Sequence, residues 1–102
     1  GHLVNLIVSD AEEEKTIKVA HKLGEIINSN LDNLTTDELE LLGPVQAPMA
    51  KLQGDYRWQL LLKGAELEQL KKISNQSLTE LEAENNLKSV KIDIDIDPLR
   101  VL

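Results

Sequence analysis

An α+β domain with elements in the order β-α-β-β-α-β is predicted by three observations. Short β-branched or alternating apolar runs occur near both ends and in the middle of the chain. Two intervening segments repeat their apolar residues every three or four positions, and Gly or Pro follows the second, third and last of the strand-like runs. With right-handed crossovers, this order gives a four-stranded antiparallel sheet with two helices on one face and the other face open, the split βαβ or ferredoxin-like arrangement. A length of 102 residues suits one domain, 1–102, with a single modest core.

The first strand is His2-Leu3-Val4-Asn5-Leu6-Ile7-Val8, apolar on both alternations as a central strand should be. Ser9 and Glu12 have the spacing of a capping box, and Glu12, Glu13 and Glu14 suit the positive end of a helix dipole, so a helix starts there. Its buried stripe is Ile17, Ala20, Leu23, Gly24, Ile27 and Leu31, with Asn28-Ser29-Asn30 as the stop. After a polar loop, Glu38 to Leu42 alternates and runs into Gly43-Pro44. The amide that Pro44 lacks places this second strand at an edge. Ala47 to Asp55 reads as a hairpin connection, Tyr56 to Lys63 as a third strand ended by Gly64, and Leu67, Leu70, Ser74, Ser77, Leu78 and Leu81 as the buried side of a second helix ending near Asn85-Asn86. Val90, Ile92, Ile94 and Ile96 alternate with Lys91, Asp93, Asp95 and Asp97, a half-buried last strand closed by Pro98.

Composition removes several chemistries. There is no cysteine, hence no disulfide, thiolate zinc site or cysteine nucleophile. No apolar run approaches the ~20 residues that span a bilayer. No glycine-rich stretch precedes a Lys-Ser or Lys-Thr pair, so no phosphate-cradling loop is visible. His2 and His21 have no evident partners, and His21 reads as an ordinary helix-surface residue. Asp93, Asp95 and Asp97 resemble a ligand series, but positions two apart in a strand are about 7 Å apart, too far for all three to meet one ion. They read as a solvated edge that discourages aggregation, with Asp97 organising the turn at Pro98. The net charge of −7 opposes any polyanion unless the cations are gathered on one surface.

The third strand separates two sets of residues, Tyr56, Trp58, Leu60 and Leu62 on one side and Arg57, Gln59, Leu61 and Lys63 on the other. The first set reads as core, with Trp58 either packed against the helices or exposed and able to stack on a base. The second lies on the open face, where Arg57, Gln59 and Lys63 either contact phosphates or an acidic peptide, or leave Arg57 paired with Asp93 or Asp95.

Three stretches, Gly43-Pro44-Val45-Gln46-Ala47-Pro48, Tyr56-Arg57-Trp58-Gln59-Leu60-Leu61-Leu62-Lys63 and Ile94-Asp95-Ile96-Asp97-Pro98, with the opening His2 to Asp10, together resemble the C-terminal domain of the bacterial replication-restart helicases, the PriA or primosomal protein N′ family. The resemblance covers nearly the whole chain. It implies a non-catalytic, monomeric piece of a larger ATP-dependent 3′-to-5′ DNA helicase, cytoplasmic and nucleoid-associated, that helps bind branched or forked DNA during primosome assembly. The start at Gly1-His2 without Met fits such a piece, and equally a Gly1 left over from a tag. It implies no cofactor in this part, ATP and zinc belonging to the rest of the parent, and partners that include single-strand-binding protein and the other domains of the same helicase. Carried onto matching positions, the DNA contacts are Arg57, Trp58, Gln59 and Lys63, with Lys51 as the hairpin's phosphate contact. Gln53-Gly54-Asp55 stands where the family often carries arginines around the glycine, so this hairpin is less basic and suits a contact shared with other domains. The alternative implied role is a docking module for those domains or for single-strand-binding protein, using the open sheet face or the edge near Pro44.

Overall fold

Six elements follow one another in a computed structural model that describes residues 1–34 and 38–98: β1 (His2–Asp10), α1 (Glu13–Asp32), β2 (Glu40–Leu52), β3 (Asp55–Gly64), α2 (Leu67–Glu84) and β4 (Lys91–Ile96). The strands form one antiparallel sheet in the order β2-β3-β1-β4, so β1 and β3 are central and β2 and β4 are edges. This is the ferredoxin-like arrangement.

One register organises the core. Val4 sits opposite Leu62, Leu6 opposite Leu60 and Val8 opposite Trp58. Because side chains alternate across a strand, these residues all face the helices. Val4, Leu6, Leu60 and Leu62 are completely buried there with Ala20, Leu23 and Ile27 of α1 and Leu70 and Leu81 of α2. Truncating one such leucine removes its burial and leaves a cavity, typically at a cost of about 2–5 kcal/mol. Gly24 lets α1 close onto the sheet, since a Cβ there would lie 3.3 Å from Pro44 Cδ and 3.5 Å from Leu60 Cδ2.

The structure departs from the sequence reading at several places; in α1, Thr16, Val19 and Ile26 are buried while Ile17 is not. The Ser9-Glu12 capping box does not form, because Ser9 is still in β1, paired with Arg57 and Lys91. Asp10 turns the corner instead, its Oδ2 accepting the Glu12 N–H at 2.9 Å, while Thr16 Oγ1 donates to Glu12 O at 2.8 Å. The Asn28-Ser29-Asn30 stop is overridden: α1 runs on to Asp32, with Asn30 buried and its Nδ2 donating to Ser77 Oγ of α2 at 3.0 Å. The expected connection from Ala47 belongs to β2, which continues to Leu52 through register shifts at Leu42/Val45 and Gln46/Lys51. The turn is Gln53-Gly54, with φ of 51° and 88°, the paired positive values of a two-residue type I′ hairpin. Finally β4 is less covered than a half-buried strand, with Ile94 and Ile96 37% and 41% exposed, because α2 packs across β1 and β3. Part of the polar loop expected before β2 lies outside the described residues.

Asp97 fastens the end of β4 to the start of β1. Its Oδ1 accepts the Leu3 N–H and its Oδ2 meets His2 Nδ1, both at 2.8 Å. The His2 hydrogen bond first, and the Leu3 N–H second, hold the Asp97 carboxyl below its ordinary range. The Glu12 N–H likewise lowers Asp10, against an opposing effect of desolvation.

Gly43 has φ of 101°, and a Cβ there would sit 2.8 Å from the Gln59 carbonyl oxygen, whereas Gly54 has φ of 88° with open space around it. Chemical denaturation of Gly54→Ala should show a loss of about 1–2 kcal/mol from left-handed backbone alone, and Gly43→Ala a larger loss because the backbone oxygen cannot retreat. For Asp10 the folded-state pKa is depressed, so its stabilisation is fully present above the unfolded value of about 3.9 and disappears as pH falls through the folded value. Unfolding midpoints measured from pH 6 down to about pH 2 should fall, and Asp10→Asn should flatten that fall.

Candidate nucleic-acid interface

β3 presents different chemistry on its two sides. The core register sends Tyr56 and Trp58 toward the helices, and Arg57, Gln59, Leu61 and Lys63 to the open face. On that face the rows run across the sheet: Arg57–Ser9–Lys91, Val45–Gln59–Ile7–Asp93, Leu42–Leu61–Asn5–Asp95 and Glu40–Lys63–Leu3. β1 lies between Arg57 and β4. The Arg57 guanidinium donates instead to Met49 O of β2 at 3.0 Å. Lys91, in the Arg57 row, reaches Asp55 at 3.3 Å.

Lys51 is paired with Tyr56 and shares its side, with Nζ 4.9 Å from the Tyr56 ring centroid. It therefore flanks the hairpin end from the face opposite to Arg57. Trp58, half-buried against the core, stands 6.0 Å from the His21 ring of α1 at an interplanar angle of 51°. Packing thus holds one part of the indole while the remainder is open to solvent.

Gln59 and Lys63 are placed differently. Gln59 is 1% exposed, with Oε1 accepting from Asn5 Nδ2 at 3.3 Å, so it is an internal polar group of the sheet rather than a projecting contact. Asn5, 4% exposed, keeps a buried Oδ1 without a hydrogen-bond partner. Lys63 is exposed but lies six positions from Arg57, about 20 Å along the strand. It borders a cavity with Glu38, Glu40 and Asp97, an acidic neighbourhood. The structure brings Lys51, Arg57 and Trp58 to one end of the sheet, and leaves Gln59 inside it and Lys63 at the other end.

Two groups of cations were passed over in the sequence. Lys91 joins Arg57 only through the β1–β4 register, which no local pattern reveals. Lys15, Lys18 and Lys22 follow the i, i+3, i+7 spacing of one helix face, a signal that was present, and they line a groove between α1 and the Asn85-Asn86-Leu87 segment. Around the sheet lie exposed apolar side chains, among them Leu42, Val45 and Met49 on β2. Among the described residues no three His, Asp or Glu side chains are grouped to hold a metal, and no helix is long and apolar enough to cross a membrane.

Similar proteins bear on the fold and on the family. The chain is similar to the de novo designed protein Foldit4 over 97% of this chain and 98% of that one, with a TM-score of 0.65 at 14% identity. It is also similar to a hydantoinase/carbamoylase family amidase from Burkholderia ambifaria, with a TM-score of 0.54 at 12% identity, over 94% of this chain and 27% of that one. At such identities these likenesses establish the fold alone. In sequence, the chain is 28% identical over 101 residues to the replication restart protein PriA of Bacillus subtilis, a match spanning 99% of this chain and 12% of the relative. It is 40% identical over 60 residues to that of Haemophilus influenzae, covering 59% of this chain and 8% of the relative. The chain thus spans a small part of the length of these relatives. The family model described as the primosomal protein N C-terminal domain matches residues 1–99, and the chain belongs to that family.

Proposed function

We propose that this domain helps a replication-restart DNA helicase bind branched or forked DNA during primosome assembly, by backbone and shape contacts with little reading of base sequence. One observation carries the reading: the β2–β3 hairpin end of an anionic chain places Lys51 and Arg57 on either side of the Tyr56–Trp58 strand, with an indole partly open to solvent. Lys51 and Arg57 neutralise phosphates, and Trp58 offers its open edge to a base. Gln59 acts from within the sheet by fixing the face beneath Arg57, and Lys63 makes an outlying contact tempered by Glu40 opposite it. The domain binds and does not catalyse; ATP and zinc serve other parts of the parent, which works in the bacterial cytoplasm alongside single-strand-binding protein.

A second reading has its own observation. Val45 and Met49, 46% and 57% exposed on the β2 edge, with Leu42 beside them, form an apolar margin to the open face. Such a margin suits docking of the helicase's other domains.

Fluorescence anisotropy with forked, duplex and single-stranded DNA, repeated across a salt series, tests the leading reading. Forked DNA should bind with a negative salt slope, and the double variant Lys51→Ala/Arg57→Ala should lower its magnitude by about 2, since each phosphate contact contributes about 0.9. Lys63→Ala should change it less. An absence of binding even at low salt would leave the docking reading in its place.

A further inference from the structure

The sheet face that carries no helix is divided lengthwise. On its β2 side Leu42 and Val45 are exposed, with Leu61 of β3 buried beside Leu42. The same two rows end on β4 in Asp93 and Asp95, both exposed and in none of the ion pairs found among the described residues. An apolar strip and an acidic strip therefore lie three strand spacings apart, about 14 Å. Arg57, donating to Met49 O, and Lys91, paired with Asp55, close the face at the hairpin end.

Between the strips sits an acceptor with nothing to accept. Asn5 is 4% exposed, its Nδ2 donates to Gln59 Oε1 at 3.3 Å, and its Oδ1 has no hydrogen-bond partner. Buried polar atoms are normally paired. Both helices pack on the other side of the sheet, so Asn5 is hidden only by its neighbours in the same layer, Leu3 and Ile7 along β1 and Leu61 across from it. Those side chains can shift for an incoming group. Asn5 also stands opposite Asp95 in the β1–β4 ladder, where paired Cβ atoms are about 5 Å apart. A guanidinium can serve both, donating one N–H to the Asp95 carboxylate and another to Asn5 Oδ1.

The face selects its occupant by charge, by backbone and by size. Asp93 and Asp95 repel a nucleic acid, and a second copy would bring the same carboxylates against them. An extended chain laid flat on a sheet face leaves its backbone groups unpaired, whereas a helix pairs its own. A helix about 10–12 Å across fits between the strips, and the length of face from Ile7 to Leu3, about 13 Å, takes about nine helical residues. The area so covered is about 200 Å², well short of the ~800 Å² per partner of a stable free complex. A helix on the same polypeptide escapes that limit, because tethering raises its effective concentration.

We infer that the open face holds a basic amphipathic helix from another domain of the same polypeptide, its apolar side chains on Leu42, Val45 and Leu61 and an arginine bridging Asn5 Oδ1 and Asp95. The inference rests on the docking reading above, in which this chain is a small part of a larger helicase, as its 12% coverage of the Bacillus subtilis relative suits. It names the chemistry of the docked segment and is independent of the DNA contacts at Lys51 and Arg57.

The test adds a synthetic peptide to the isotopically labelled chain and follows backbone and side-chain amide shifts. The peptide has roughly eighteen residues, long enough to be helical alone, with leucines on one stripe, arginines on the next and alanine elsewhere. A second peptide carries glutamine in place of each arginine. The arginine peptide should give saturable shifts at Ile7, Leu61, Asp93 and Asp95 and at the Asn5 side-chain amide, weakening with salt, while the glutamine peptide binds about 10-fold less tightly or worse. Asp93→Asn/Asp95→Asn, checked for fold by thermal unfolding, should bring the arginine peptide down to the level of the glutamine one. Equal affinity of the two peptides for the open face would overturn the basic partner and leave apolar docking standing. Shifts scattered over other acidic surfaces, with Asn5 unmoved, would overturn the inference as mere charge attraction. No shift from either peptide at millimolar concentration would remove the inference and the docking reading together, leaving the DNA reading untouched.

Discussion

The pairing of Leu6 with Leu60 at the centre of the β1–β3 ladder is the constraint from which the rest of the molecule follows. It sends Val4, Leu6, Val8, Leu60 and Leu62 to one side, where two helices remove them from water. A shift of one residue would turn these leucines to solvent and carry Arg57, Gln59 and Lys63 under the helices. The surface chemistry of β3 is therefore a by-product of core packing. Each cation on the open face is there because its neighbour in sequence is in the core.

The same constraint explains how a chain of net charge −7 presents cationic sites. At about 0.1 M salt the screening length is about 10 Å. Arg57 and Asp93 stand on strands separated by β1 and in adjacent rows, roughly 12 Å apart from the spacings of a sheet. The acidic edge of β4 is therefore largely screened from the hairpin end. Lys63, at about 20 Å from Arg57 and bordered by Glu38, Glu40 and Asp97, belongs electrically to the other end. Nearby groups decide what each surface attracts, and the net charge of the chain has little say at this range.

Much of the fold was legible because it depends on local periodicity. The alternation of β3 and the edge position of the Pro44 strand could be read residue by residue, and the stripe of α1 in part: Ala20, Leu23, Gly24 and Ile27 are buried as expected, whereas Ile17 is not and Val19 and Ile26 are. What escaped depends on pairing between distant segments. The ladder holds Ser9 in β1, so Asp10 makes the helix corner; Asn30 finds Ser77 across the helix layer, so α1 passes its expected stop. The site was legible in the same partial way. Alternation correctly separated Arg57 and Lys63 from Trp58, yet no local pattern shows Lys51 facing Tyr56 after a bulge, or Gln59 buried against Asn5. Lys15, Lys18 and Lys22 were legible as one helix face from their spacing alone, whereas their neighbours Asn85 and Asn86 come from a distant segment.

The central claim is that a few cations at the hairpin end act locally on DNA in an otherwise acidic domain. Backbone and indole N–H chemical shifts of the isotopically labelled chain, followed while forked DNA is added, examine it most directly. The account predicts saturable changes at Lys51, Tyr56 and Arg57 and at the Trp58 indole, with Lys63 nearly silent. Changes confined to Leu42, Val45 and the open face, with the hairpin end unmoved, would contradict it.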